Sequence, residues 1–186
     1  DVVLSPDPNV FKHTNALAGL KEGGVFIIQS DLSSPAEVWA SIPEHFRRII
    51  VEKRIRVFYI DAFKIAREEA SDPELQFRMQ GIAFQGAFFA ASPVMPTAGL
   101  SEEALFKAIG QQLQHKFGSK GARVVEDNLR VVRRGFTELH EIIEKPLQVE
   151  GQTQVAATPQ LPVMLSLLPQ SEDPKSDIHR FWEQIG

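Results

Sequence analysis

Apolar positions fall along this chain in two rhythms. Val2-Val3-Leu4, Val25 to Ser30 (VFIIQS) and Ile55 to Ile60 (IRVFYI) are short, nearly unbroken apolar runs, the pattern of parallel strands buried on both faces. Elsewhere the period lengthens to that of a helix. Ser34-Pro35-Ala36-Glu37 opens a short helix whose inward face is Val38, Trp39 and Ile42, and Phe46, Ile49, Ile50 and Lys53 give Pro43 to Arg54 an amphipathic register. Asp7-Pro8 suits the cap and first position of a helix running to about Gly19. Asp61 to Ala70 reads as helix, and Asp72-Pro73 caps a long one that is apolar almost all round from Met79 to Ala91. Ser101-Glu102-Glu103 starts an amphipathic helix to about Phe117; after a break at Gly118 to Gly121, another runs from Ala122 to about Leu139. Strands alternating with helices predict an α/β fold: a layered, mainly parallel sheet with helices on both faces. With three strands legible, a sheet edge is expected to be exposed or paired with neighbouring strands from outside the chain.

The character changes after Lys145. Proline recurs from Pro146 to Pro174 among Gln, Ser and Thr, with one apolar patch at Val163 to Leu168. Residues 1–145 are therefore expected to form the domain and 146–186 an extended proline-rich arm. The arm would end in a short helix after Asp173-Pro174, with Ile178, Phe181 and Trp182 on its docking face.

Composition narrows the chemistry. The 186 residues are 43% hydrophobic, enough for a core, and carry a net charge of −4, which argues against a strongly basic nucleic-acid binder. No apolar run is long enough for a membrane span and no signal layout opens the chain, so a soluble, cytoplasmic protein without a membrane partner is expected. There is no cysteine, so this chain supplies no disulfide, no thiolate nucleophile and no thiolate ligand for zinc or an iron–sulfur cluster. The five histidines, at 13, 45, 115, 140 and 179, stand too far apart for a paired metal motif.

No nucleophile elbow, phosphate-binding loop or dinucleotide fingerprint is present. Gly81 to Gly86 (GIAFQG) lies inside an apolar helix, where small residues permit close helix–sheet packing. Asp61, Glu68 and Glu69 share a segment with Lys64 and Arg67, and read as a salt-bridged face. One basic concentration remains: Lys116, Lys120, Arg123, Arg130, Arg133 and Arg134, diluted by Glu126, Asp127 and Glu138. The helix start beside Ser119-Lys120-Gly121 offers free N–H groups and a positive dipole end that could hold an anion; the alternative is an ordinary solvated helix start.

Several segments together resemble one family. LKEGGVFIIQSDLSSPAEVWASIP (20–43), IIVEKRIRVFYIDAFKIAREE (49–69), QGIAFQGAFFAASPVMP (80–96), LSEEALFKAIGQQLQHKFGSKG (100–121) and ARVVEDNLRVVRRG (122–135) resemble, in order, the gamma domain of the pyruvate:ferredoxin (flavodoxin) and related 2-oxoacid:acceptor oxidoreductases. The matching positions are Gly24 to Ser30, Asp61 to Glu68, Gly86-Ala87 and Phe117 to Asn128. The family's opening glycine-rich strand–loop–helix has no counterpart here, so the chain reads as an N-terminally incomplete, Rossmann-like gamma domain.

The resemblance implies a role inside a larger enzyme. Such an enzyme oxidatively decarboxylates a 2-oxoacid on thiamine diphosphate with magnesium, passes electrons through iron–sulfur clusters to ferredoxin or flavodoxin, and forms an acyl-CoA. This chain has neither the thiamine-binding segment nor cluster ligands, so its implied share is architectural, packed against other domains or subunits and close to coenzyme A. With that resemblance in hand, Lys116, Lys120 and Arg123 become candidate contacts for the phosphates of CoA; no catalytic or metal-binding residue is assigned. The competing readings are a stand-alone α/β module binding a nucleotide or CoA, and an assembly scaffold without catalysis.

Overall fold

The computed structural model describes residues 1–70 and 73–147, which make up one compact unit, Asp1–Leu147. Its centre is a four-stranded sheet in the order β1-β2-β3-β4. Strands β1 (Val2–Ser5), β2 (Val25–Gln29) and β3 (Arg56–Ile60) run parallel, with Val2 beside Val25 and Val25 beside Arg56. The short strand β4 (His140–Ile142) closes the other edge antiparallel to β3. Every residue of β2 is buried, as its unbroken apolar run requires.

Alternate residues of the strands feed two cores. Phe26, Ile28, Val57 and Tyr59 meet Val38, Trp39, Ile42, Phe46 and Ile50, from helices α2 (Pro35–Ser41) and α3 (Glu44–Glu52) and the turn between them. Val25, Ile27, Phe58 and Ile60 face the opposite way, onto Ile65, Ala66, Met79, Ala83, Ala87 and Val131. These come from α4 (Ala62–Glu69), α5 (Pro73–Ala91) and α8 (Ala122–Thr137). Two crossovers of the same hand that step in the same direction stay on one face, so the chain gathers up to α3 on one side and crosses to the other after β3. The α/β class, the mainly parallel sheet and helices on both faces are as the sequence predicts.

Local chemistry sets the helix boundaries. Ser34 and Glu37 form a reciprocal capping box before α2; Asp61 caps α4 by accepting from the Lys64 N–H at 3.0 Å, and Ser101 caps α7 (Glu102–Phe117). A short helix α6 (Val94–Ala98) links α5 to α7. The first predicted helix is much shorter than expected: α1 spans only Val10–His13. Thr14 turns extended and the Asn15 side chain accepts from the Leu17 N–H at 3.2 Å, so the chain turns inward to bury Leu17 and Leu20 instead of continuing the helix. Beyond β4 the chain is tacked to the sheet: Trp39 Nε1 donates to the Pro146 carbonyl and Lys145 Nζ to that of Ile55, each at 2.9 Å. The expectations for Asp72, for the patch at 163–168 and for Phe181 and Trp182 lie outside the described residues.

Candidate functional site

In open α/β sheets ligands gather at the carboxyl ends of the strands. Here that end is closed by its own polar groups. Gln29, last residue of β2 and 1% exposed, donates through Nε2 to Asp61 Oδ1 at 3.0 Å and accepts the Ala62 N–H at 2.9 Å. Ser5 donates to the Asp7 carbonyl, and Ser30 accepts from the Leu32 N–H. Gln29 thereby fixes how β3 turns into α4, while Ser5 and Ser30 shape the turns that leave β1 and β2.

The acidic pair Glu68–Glu69 is salt-bridged, as predicted, but its partners lie on α8 rather than on its own helix. Arg134 pairs with Glu68 at 2.7 Å, Glu69 at 3.0 Å and Glu138, while Arg130 bridges Glu69 at 2.9 Å and Asp127. The Arg130 hydrogen bond holds the Glu69 carboxyl below its ordinary value against the opposing effect of burial. The same contacts, Glu138 foremost, push Arg134 further up. The cluster therefore clamps α4 to α8 and leaves little free charge for a ligand.

Beneath it, α5 and α8 touch backbone to backbone. A methyl group on Gly86 would collide with the Val132 carbonyl oxygen, and one on Gly135 with that of Ala83. The glycine pattern that predicts close packing is thus real for Gly86, although its partner is a helix rather than the sheet. Gly81, at the other end of the motif, faces open space.

Helix α7 leaves more room. Between it and α5 lies an open cleft of about 720 Å³, walled by Leu4, Phe88, Phe89, Leu105, Ile109 and Phe117, with Lys116 the only ionic residue among the described residues that line it. At the cleft's rim, the Lys116 and Lys120 ammonium groups stand 5.4 and 5.9 Å from the centre of the Phe117 ring. Arg123 points elsewhere: it lines a depression with Glu68, Glu69, Glu126 and Asp127. The structure therefore gathers Lys116 and Lys120 around one ring and sets Arg123 among carboxylates. Helix α8 begins after Gly121 (φ 107°) without a side-chain cap, leaving its first N–H groups without a side-chain acceptor. Phe117 was not among the expected site residues, although its place between lysines four positions apart on one turn is a readable signal.

Two further observations bound the chemistry. No set of three or more His, Asp or Glu side chains that could hold a metal ion occurs among the described residues, and no described helix is long and apolar enough to cross a membrane.

Comparison with known proteins follows the same outline. Residues 1–138 match the family described as pyruvate ferredoxin/flavodoxin oxidoreductase. The chain is 30% identical over 146 residues to the pyruvate-flavodoxin oxidoreductase of Trichormus variabilis, covering 78% of this chain and 11% of that protein. It is 28% identical over 158 residues to the pyruvate:ferredoxin oxidoreductase of Moorella thermoacetica, covering 85% and 13%. The chain thus spans about a tenth of the length of the curated relatives it matches. Among solved structures, the pyruvate oxidoreductase subunit PORC of Thermotoga maritima superposes with a TM-score of 0.51 at 19% identity, over 75% of this chain and 64% of that one. At that identity the likeness speaks for the fold.

Proposed function

The chain belongs to the pyruvate ferredoxin/flavodoxin oxidoreductase family, and from that premise we propose that it is the gamma domain of a cytoplasmic 2-oxoacid oxidoreductase with an architectural, CoA-proximal role. The whole enzyme would decarboxylate pyruvate or another 2-oxoacid oxidatively to an acyl-CoA and reduce ferredoxin or flavodoxin. One observation carries the reading: the family match, residues 1–138, falls on the same stretch as the packed unit ending at Leu147. The stretch that matches the family is itself folded and packed.

What this chain's side chains can hold divides the proposed cofactors. Iron–sulfur clusters do not fit, because there is no thiolate to ligate them. Nor do the described residues form a set of three or more His, Asp or Glu side chains placed to hold a metal ion such as the magnesium of thiamine diphosphate; Glu69 and Asp127, beside Arg123, are paired with Arg130 instead. Both groups belong to other parts of the enzyme on this reading. Coenzyme A fits better. Lys116 and Lys120, flanking the Phe117 ring beside an uncapped helix start, are the right chemistry for its phosphates. These residues would bind and orient CoA, whose thiol accepts the acyl group elsewhere.

The test is turnover. The purified chain with pyruvate, CoA and a viologen acceptor should reduce no dye and form no acetyl-CoA. Acetyl-CoA formation by the chain alone would sink the architectural role. The stand-alone CoA-binding alternative is separated by calorimetry: CoA binding to the chain by itself, at micromolar affinity, would favour it.

A further inference from the structure

A cavity of about 490 Å³ lies where the amino ends of β2 and β3 meet the carboxyl end of α5, walled by Val25, Arg56, Phe89, Ser92, Pro93 and Met95. Three polar groups on its walls keep capacity that the fold does not use. Ser92 is 5% exposed, and its buried hydroxyl has no hydrogen-bond partner among the described residues. A hydroxyl buried that way costs free energy, which a ligand that meets it restores.

Arg56 is engaged on one side only. Its Nε and Nη2 each donate to Glu141 at 2.9 Å, and the guanidinium sits 4.8 Å from the centre of the Phe58 ring. The group is thus held in place while Nη1 has no partner among the described residues. Phe89 supplies the third group. Its carbonyl would accept from the N–H four residues on, but that residue is Pro93, which has none. Helix α5 is 19 residues long and carries no basic residue in its last turn, so its own side chains do not offset the negative end of its dipole.

These groups call for opposite charges in one ligand. A carboxylate suits Arg56 Nη1 and the Ser92 hydroxyl, whereas an ammonium suits the carbonyl end of α5. Glu141 decides between a bare anion and a zwitterion. It cancels most of the guanidinium's net charge, so a ligand that is neutral overall is favoured. Val25, Pro93 and Met95 add an apolar wall. We propose that this cavity binds a small zwitterion, an aliphatic α-amino acid. Its carboxylate meets Arg56 and Ser92, its ammonium the carbonyl end of α5, and its side chain Val25 and Met95. The site uses neither Lys116 nor Lys120 and is tested with no CoA present, so its failure leaves the coenzyme A reading untouched.

The probe is L-leucine, titrated into the full chain by calorimetry and in thermal melts. Saturable binding is expected, with a melting midpoint that rises as leucine is added. 4-Methylpentanoate lacks the ammonium and 3-methylbutylamine the carboxylate; each should bind at least about tenfold more weakly. Ser92→Ala removes a hydroxyl that the fold does not use, so it should weaken leucine binding severalfold without lowering the melting midpoint of the free chain. Arg56→Lys keeps the charge but loses the planar fork, and should weaken binding at least as much. Should that variant loosen β3 from β4, Met95→Trp, which fills the cavity, serves in its place and should abolish binding. The proposal is overturned if leucine does not bind, or if either half of it binds as well as the whole. It is also overturned if Ser92→Ala and Met95→Trp both bind leucine as the parent does.

Discussion

Helices α8 and α7 both flank α5, one in backbone contact with it and the other across an open cleft. Against α8 the contact is backbone on backbone: Gly86 sits under the Val132 carbonyl and Gly135 under that of Ala83. Helix α8 is held in place as well by Arg130 and Arg134, which pair with Glu68 and Glu69 of α4. Helix α7 packs instead on α8, with Phe106 edge-on to the Phe136 ring, and leaves a cleft toward α5. Leu105 and Phe106 are buried, while Ile109, Leu113 and Phe117 line an open cleft. Both helices present apolar faces to α5, but only one finds a complete partner within the described residues. An amphipathic stripe announces that a face will be covered; the missing side chain, glycine, tells which helix comes close enough to do it.

The sharpest way to break this comparison is to put a methyl group into each seam. Gly86→Ala and Gly135→Ala would each force backbone apart, and should destabilise by about 3 kcal/mol or more, since overpacking against main chain cannot be relieved by a rotamer change. Gly110→Ala on α7 meets nothing nearer than Leu129 at 3.9 Å, and Gly81→Ala meets nothing within 4 Å. These two should stabilise by about 0.5–1 kcal/mol, the intrinsic helix preference of alanine. Thermal melts of the four variants decide the point. If Gly110→Ala were as damaging as Gly135→Ala, α7 would sit on α8 as tightly as α8 sits on α5, and the contrast between the two helices would vanish.

The ion-pair lock gives the next effect. Arg134→Met strands Glu69 and Glu68 with fewer partners and should cost about 1–3 kcal/mol at neutral pH. Glu69 also makes the seam acid-sensitive. Its carboxyl titrates below the ordinary 4.5 in the folded state because Arg130 donates to it. A depressed carboxylate contributes stability above its unfolded pKa, and that contribution is lost as pH falls through the folded one. Urea midpoints should therefore drop more steeply between about pH 5 and pH 3 in the parent than in Glu69→Gln. Parallel curves would assign the acid lability to other groups.

A smaller difference should show in dynamics. With a tight, locked seam on one side and a cleft on the other, amide exchange in 105–113 should be faster than in 83–91 and 125–135 under native conditions. Equal protection across all three helices would mean that α7 unfolds only with the whole domain.

How far the sequence reaches follows the same divide. Buried runs such as VFIIQS declare themselves because neither face of the strand meets water, and the caps at Ser34, Asp61 and Ser101 act within a few residues of chain. Long-range closures are hidden. Strand β4 is too short to show a period, and the ion pair that accompanies its ladder joins Arg56 and Glu141, 85 residues apart. Glu68 and Glu69 read as a salt-bridged face with Lys64 and Arg67 of their own segment, and only the fold brings Arg130 and Arg134 to them. The false extension of α1 has a related cause: the segment to Gly19 has helical spacing, but Leu17 and Leu20 gain more by turning into the core than by continuing a four-residue helix. At the candidate site the three cations could be found by counting. Their division could not, since it depends on which side of the start of α8 each one leaves.

That division yields the last prediction and the smallest effect. Lys120 and Lys116 share the Phe117 ring at the mouth of the α5–α7 cleft, whereas Arg123 lies in the acidic depression beside Glu126 and Asp127. An ammonium on the open side can meet an incoming phosphate; a guanidinium among carboxylates has its field largely cancelled before a ligand arrives. If the proposed CoA role is right, Lys120→Ala in the intact enzyme that contains this domain should raise the KM for CoA several-fold, through loss of one charge-assisted contact. The KM for the 2-oxoacid should stay the same, because the decarboxylation is assigned to thiamine held by other parts of the enzyme. Arg123→Ala should change the KM for CoA less than Lys120→Ala does. The pair of variants separates a local contact from a general loss of positive charge: each removes one cation near the same helix start, so equal effects would point to long-range attraction. No effect from either would remove the phosphate contacts from this domain and leave its role architectural, resting on the α5–α8 seam.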